Sequence, residues 1–177
     1  INVKSTLEAQ RLGISIIHQE INLMQDLTVS ENIYIGREPT QGILLNGAKQ
    51  DAQTNALLDS LRLTDIRAGT RVRTLTVAKQ QMVEIAKALS FSNTRILIMD
   101  EPTAALTESE IEDLFTFIRR LKAQGVGIVY ISHRMEELRI IADRVTVMRD
   151  GKYVGTRNMA DVSMDDIISM MVGRVIY

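Results

Sequence analysis

The octapeptide Ile96-Leu97-Ile98-Met99-Asp100-Glu101-Pro102-Thr103 constrains the fold more than any other stretch of the chain. Four large apolar residues in succession suit a strand covered on both faces, as in a parallel sheet flanked by helices, although a short buried helix can carry the same run. The proline favours the strand. A residue before proline is pushed out of helical geometry toward extended geometry, so Glu101 is expected to continue the strand and present its carboxylate at the carboxyl edge. In open α/β sheets ligands bind beyond that edge. Taken alone, an Asp-Glu pair there would simply end a strand and cap the next helix.

The remaining elements follow from caps and periodicity. Ser5 with Glu8, Thr28 with Glu31 and Thr107 with Glu110 match capping boxes, which satisfy the free amides at a helix start. They open expected helices to about Leu12, Ile35 and Ala123. Gly13 suits the left-handed position after the first, and Ile14 to Ile17 reads as a short strand ending on His18-Gln19-Glu20. Residues 36–47 read as loop. Ala48, Ala52, Ala56, Leu57 and Leu61 recur at helical spacing, predicting that this face is the apolar one. Thr76 is the natural N-cap of a helix running to Leu89. Gly127 to Ser132 reads as the next buried strand, ending on His133, and a helix spans about Met135 to Ala142. Arg144 to Arg149, Asp150-Gly151 and Lys152 to Gly155 read as a hairpin, and Ser163 caps a last helix through Met171.

Length and composition set limits. The 177 residues suffice for one well-buried α/β core with a subdomain. Lys and Arg (21) nearly balance Asp and Glu (22), leaving a net charge of −1, so no basic groove for nucleic acid is implied. Cysteine is absent, which removes disulfides, thiolate nucleophiles and cysteine metal sites and fits a reducing compartment. No apolar run approaches the roughly 20 residues that span a bilayer. The chain starts at Ile1 without an initiator methionine, as expected of a fragment or processed product.

Three strands thus terminate in polar groups: Gln19, Asp100 with Glu101, and His133. Helices between successive strands favour parallel directions, which would place all three tips on one edge of the sheet. An amide, two carboxylates and an imidazole at one edge suit metal-assisted hydrolysis of a phosphoanhydride, with one acid on Mg²⁺ and another orienting water.

The ordered motifs resemble the nucleotide-binding subunits of ABC transporters along nearly the whole chain. Ile16 to Glu20 looks like the Q-loop, Leu75 to Gln81 the signature loop, Ile96 to Glu101 Walker B, Ala104 to Thr107 the D-loop, and Ile131 to Arg134 the switch-histidine segment. Val83 to Leu89, Glu101 to Thr107 and Val129 to Glu137 resemble the monosaccharide-importer branch, which includes ribose, galactose, xylose and arabinose systems. The resemblance implies a P-loop NTPase-like α/β fold in which a parallel sheet is flanked by helices, with a helical and signature subdomain at about 20–90, a core part at about 91–177 and a C-terminal hairpin.

By position, the resemblance implies that Asp100 and Gln19 attend Mg²⁺, Glu101 polarises the attacking water, and Gln19 and His133 contact the γ-phosphate of ATP. Thr76, Val77, Ala78 and Lys79 would face ATP held by a second cassette, in a head-to-tail dimer or a fused tandem. A transmembrane permease would meet residues 21–35, a sugar-binding protein outside the cell would act indirectly, and the subunit would sit on the cytoplasmic face of the membrane. Two departures stand out. Lys4-Ser5-Thr6 mimics the end of a P-loop but lacks its glycines and leading strand, so the phosphate cradle and the adenine-stacking aromatic are expected upstream of Ile1. Leu75-Thr76-Val77-Ala78-Lys79 departs from the common Leu-Ser-Gly-Gly-Gln, with a methyl at Ala78 where glycine lets backbone approach phosphate. A non-hydrolysing regulatory or assembly module, and a soluble ABC ATPase of repair or translation, are the alternatives.

Overall fold

A computed structural model describes residues 2–91 and 93–173. The chain forms two compact units, divided between Ile131 and Ser132. In the first, α1 (Thr6–Arg11) is capped by the Ser5 hydroxyl, which accepts from the Glu8 amide. The Glu8 carboxylate reaches one residue further back than expected, to the Lys4 amide at 2.7 Å. Gly13 follows with φ +84, and a Cβ there would collide with the Asn93 carbonyl oxygen. The turn delivers β1 (Ile14–Ile17).

α2 (Val29–Tyr34) begins with a complete Thr28–Glu31 capping box. The expected loop over residues 36–47 instead contains a small exposed hairpin, β2 (Thr40–Gln41) with β3 (Leu44–Leu45). Gly42 has φ +64, so the chain can reverse tightly there. α3 (Gly47–Ser60) is capped by Asn46 and buries Gln50, Thr54 and Leu58. Ala48, Ala52 and Ala56, expected on the apolar face, are exposed. Alanines carry too little apolar surface to decide which face turns inward, whereas Leu58 does. After a single 3-10 turn, Val72–Thr74, comes α4 (Val77–Leu89), most of whose central residues are buried.

β4 (Ile96–Asp100), α5 (Glu108–Ala123) and β5 (Gly127–Ile131) complete the unit. The sheet order is β1-β4-β5, parallel throughout, with Ile17, Met99 and Tyr130 in one row and Asp100 opposite Ile131. Parallel pairing follows from the helical crossovers that return the chain to the same end. One face carries Ile17, Leu97 and Met99, all buried, with α4 against β1 and α5 against β5. There the Ser15 hydroxyl donates to the Ala88 carbonyl at 3.2 Å, and Phe115 meets Tyr130 edge to face at 6.2 Å.

The opposite face carries Ile16, Ile96, Val129 and Ile131, all exposed. β5 is therefore not the buried strand expected. Among the described residues it has a partner strand on one side only, and every second residue, from Gly127 to Ile131, is exposed.

The second unit holds α6 (Met135–Ile141), β6 (Arg144–Arg149), β7 (Lys152–Asn158) and α7 (Met164–Val172). β6 and β7 pair antiparallel, with a bulge between Val147 and Met148. Asp150 and Gly151 both have positive φ, 51° and 71°, as a two-residue type I′ turn requires. β7 continues three residues beyond the expected Gly155. Leu138, Val145, Val147 and Ile167 form the core of this unit, with Met135, Met164 and Met170 packed against it.

Candidate functional site

β4 stops at Asp100, and Glu101 departs from the extended geometry expected of it. Its φ is +44, in the left-handed region that non-glycine residues rarely occupy. Pro102 disfavours the right-handed helical region for Glu101, yet the ladder is still served, because the Glu101 amide donates to the Ile131 carbonyl at 2.9 Å. The chain then turns tightly, with the Ala104 amide on the Glu101 carbonyl and the Leu106 amide on the Thr103 carbonyl. Thr103 is buried at the base of that turn. Backbone held in a costly conformation by its surroundings concentrates at working sites.

Gln19 follows β1 by two residues. Its Nε2 donates to Glu101 Oε2 at 3.1 Å, so two strand tips expected to share an edge do meet. The donated amide restrains the Glu101 carboxylate, and the Gln19 Oε1 keeps its capacity to accept. Asp100 lies on the same sheet face as Ile96 and Ile98 and is half-buried.

Thr76 caps α4, its hydroxyl accepting from the Lys79 amide at 3.4 Å. Val77 and Ala78 supply first-turn amides that no intrahelical carbonyl can satisfy, and Val77 is exposed while Ala78 is buried. The Lys79 ammonium is directed elsewhere. It pairs with Asp65 Oδ2 at 2.7 Å, and that contact holds the Asp65 carboxyl below its usual range. The positive charge that sequence position assigned to the loop is thus partly spoken for by a carboxylate that sequence reasoning overlooked.

His133 belongs to the second unit, where it is exposed between two residues fixed by Glu137. The Ser132 hydroxyl donates to Glu137 Oε2 at 2.9 Å, and Arg134 Nη1 contacts Glu137 Oε1 at 3.0 Å. The Arg134 amide in turn donates to the Ser132 hydroxyl. Glu137 is buried, so this small network sets the backbone on either side of the imidazole. The three-residue spacing of Arg134 and Glu137 was the sequence signal for it.

Among the described residues no group of three or more His, Asp or Glu converges as a metal cage. The hard oxygens of Asp100 and Gln19 nonetheless suit Mg²⁺, which keeps several waters and takes one or two protein ligands rather than a cage. A phosphate cradle is another matter. Lys4-Ser5-Thr6 runs straight into the six-residue α1, whose first residue is Thr6, and the 177 residues contain no Gly-rich loop ending in Gly-Lys-Ser/Thr. Asp100, Glu101, Gln19 and the α4 terminus can handle a metal, a water molecule and phosphate oxygens, but not grip a nucleotide from all sides.

A family model described as ABC transporter matches residues 2–104. A Burkholderia cenocepacia (strain HI2424) protein whose name assigns it to ribose/galactose/methyl galactoside import, as an ATP-binding protein, is 60% identical over 98% of this chain and 34% of its own length. The galactose/methyl galactoside import ATP-binding protein MglA of Yersinia pestis is 49% identical over 98% of this chain and 34% of its own. The chain thus spans about a third of the length of these curated relatives. Among solved structures, the ADP conformation of an ATP-binding cassette of an ABC transporter superposes with a TM-score of 0.77 at 24% identity, covering 97% of this chain and 72% of that one. A nucleotide-free cassette gives 0.74 at 22% identity, covering 94% and 68%. These two likenesses establish the fold.

Proposed function

The chain belongs to the ABC transporter family of ATP-binding domains, and from that premise we propose that it is part of an ATP-hydrolysing subunit that energises carbohydrate import. The observation that carries the reading is the Gln19–Glu101 hydrogen bond at a strained strand tip. It holds a carboxylate in one orientation beyond the carboxyl edge of a parallel sheet, where a base that polarises water has to stand. Asp100 and the Gln19 oxygen would hold Mg²⁺, which when bound neutralises charge on phosphate oxygens. Glu101 orients the attacking water, and His133 contacts the γ-phosphate. The α4 amino terminus, Thr76 to Ala78, offers amides and a helix dipole to the γ-phosphate of ATP held by a second cassette. Phosphoryl transfer needs little beyond such positioning and charge stabilisation.

The proposed partners are that second cassette, a membrane permease meeting residues 21–35 and, indirectly, a sugar-binding protein. They place the subunit on the cytoplasmic face of the membrane, and residues 20–90 form its helical and signature subdomain. Sugar import is favoured over repair or translation by the names of relatives that match 98% of the chain. Because no Gly-rich cradle lies within the 177 residues, this chain by itself should bind ATP weakly and not turn it over. The test uses the protein at the full length of its relatives. Turnover reduced at least about a hundredfold by Glu101→Gln supports an enzyme. Turnover indifferent to that change would leave the non-hydrolysing module, which the Ala78 methyl and the Lys79–Asp65 pair favour.

A further inference from the structure

Residues 25–30 lie against residues 68–73 and are laced to them. The Val29 amide donates to the Thr70 carbonyl at 2.9 Å and the Ser30 amide to the Ala68 carbonyl at 3.0 Å. In the other direction, the Val72 amide donates to the Leu27 carbonyl at 3.1 Å and the Arg73 amide to the Gln25 carbonyl at 3.0 Å. Thr28 and Arg71 form an antiparallel bridge in the middle, and Arg73 Nη1 meets Asp26 Oδ1 at 3.0 Å. Val29, Ser30, Ala68 and Val72 are buried, so parting the two stretches would leave backbone groups unpaired away from water. They shift together more readily than they separate. The first stretch belongs to the segment that a permease would meet, and the second runs into the turn that opens α4.

Two glutamines carry the link on to that turn. Gln25 Nε2 donates to Gln80 Oε1 at 3.0 Å, and Gln80 Nε2 donates to the Leu75 carbonyl at 3.0 Å. Leu75 immediately precedes Thr76, the N-cap of α4. Its amide is held by the Val72 carbonyl at 3.0 Å, and no backbone amide among the described residues reaches its carbonyl. The Leu75 carbonyl and the Thr76 amide lie in one peptide plane, so the Gln80 side chain, bent back across the first turn, sets how the capping residue is presented. We propose that Gln80 is a positioning residue that orients the Leu75–Thr76 peptide at the α4 amino terminus, and that Gln25 holds Gln80 in place from the permease-facing segment. What this does for turnover rests on the reading of Thr76 to Ala78 given above, whereas the linkage itself does not.

Carbonyl-carbon and amide NMR signals of the complete 177-residue chain test the linkage. Gln80→Glu keeps the length of the side chain but cannot donate when ionised. It should move the Leu75 carbonyl-carbon signal upfield, as loss of a donor does, and shift the Thr76 amide with it. Gln25→Ala, at an exposed position, should move both signals the same way by a smaller amount, and Gln25→Lys, which can still donate, should restore most of the difference. Wild-type signals in Gln80→Glu, or in Gln25→Ala, would overturn the proposal. In the protein at the full length of its relatives, Gln80→Glu should lower kcat by roughly tenfold while KM for ATP stays within about threefold, because a mispointed terminus impairs charge stabilisation rather than the grip on the nucleotide. Moved NMR signals with wild-type kcat would reduce Gln80 to a structural cap and overturn the positioning role. If Gln80→Glu does not fold, Gln25→Ala decides on the same readouts. The NMR signals require no ATP hydrolysis, and Glu101→Gln tests the ATPase, so the two proposals can fail separately.

Discussion

Glu101 combines a costly backbone with a useful side chain. A left-handed φ of +44 costs a non-glycine residue about 1–2 kcal/mol, and glycine would remove that cost while giving back part of it as unfolded-state entropy. Glu101→Gly should therefore leave stability unchanged or raise it by up to about 1 kcal/mol, read from urea unfolding of this chain. In the full-length protein the same change should abolish turnover. A loss of stability above about 1 kcal/mol would show that the carboxylate is structural and that the strain argument fails. The sequence made the carboxylate pair legible as a strand tip, and it placed Gln19 beside Glu101 correctly. It could not reveal the left-handed turn. The restriction before proline disfavours one region of backbone space without choosing between the others, and the left-handed choice is compatible with the bond from the Glu101 amide to the Ile131 carbonyl on the neighbouring strand.

Among the elements, those with local chemical signals were readable and those decided by packing were not. The Thr28–Glu31, Thr107–Glu110 and Ser163-led caps each begin a helix where expected, because a cap is a contract between residues three apart. The inward face of α3 is different, since it depends on what lies across from it. Five alanine and leucine positions pointed one way, of which Leu61 is buried, while the helix itself turns Gln50, Thr54 and Leu58 inward. The consequence is a paired test. Leu58→Ala should destabilise by roughly 2–5 kcal/mol as a cavity opens in the core, whereas Ala52→Lys should stay within about 0.5 kcal/mol of wild type. Thermal or denaturant melts of both variants check it, and the reverse ranking would restore the face read from the sequence. β5 repeats the lesson, because an apolar run says that a strand can be covered on both faces but not that it is.

At the scale of the whole molecule, the titrating groups oppose one another, and this shapes stability against pH. Glu31 and Glu110 are held below their ordinary value of 4.5, first by the backbone amides of Thr28 and Thr107 and then by the hydroxyls of the same residues. Asp166 is held below 3.8, first by the Ser163 hydroxyl and then by its amide. A carboxylate lowered in the folded state adds stability that is fully present above its unfolded value and is lost as pH falls through the folded one. Glu84 has the opposite sign. Its folded value lies above 4.5 through burial, so the fold favours its protonated form. That preference is fully present below 4.5 and disappears as pH rises through the raised value. Descending from neutrality, stability should therefore rise as Glu84 takes up its proton, pass through a maximum in mild acid, and fall once the capping carboxylates protonate. Because the chain has two compact units, unfolding is best followed by exchange protection within α4 and α5, which reports the first unit alone. Glu84→Gln should remove the rising limb and leave the falling one, while Glu31→Gln with Glu110→Gln should blunt the fall. A profile without a mildly acidic maximum, or one that Glu84→Gln leaves intact, would mean that the Glu84 carboxylate, 9% exposed in the middle of α4, is solvated in the folded chain.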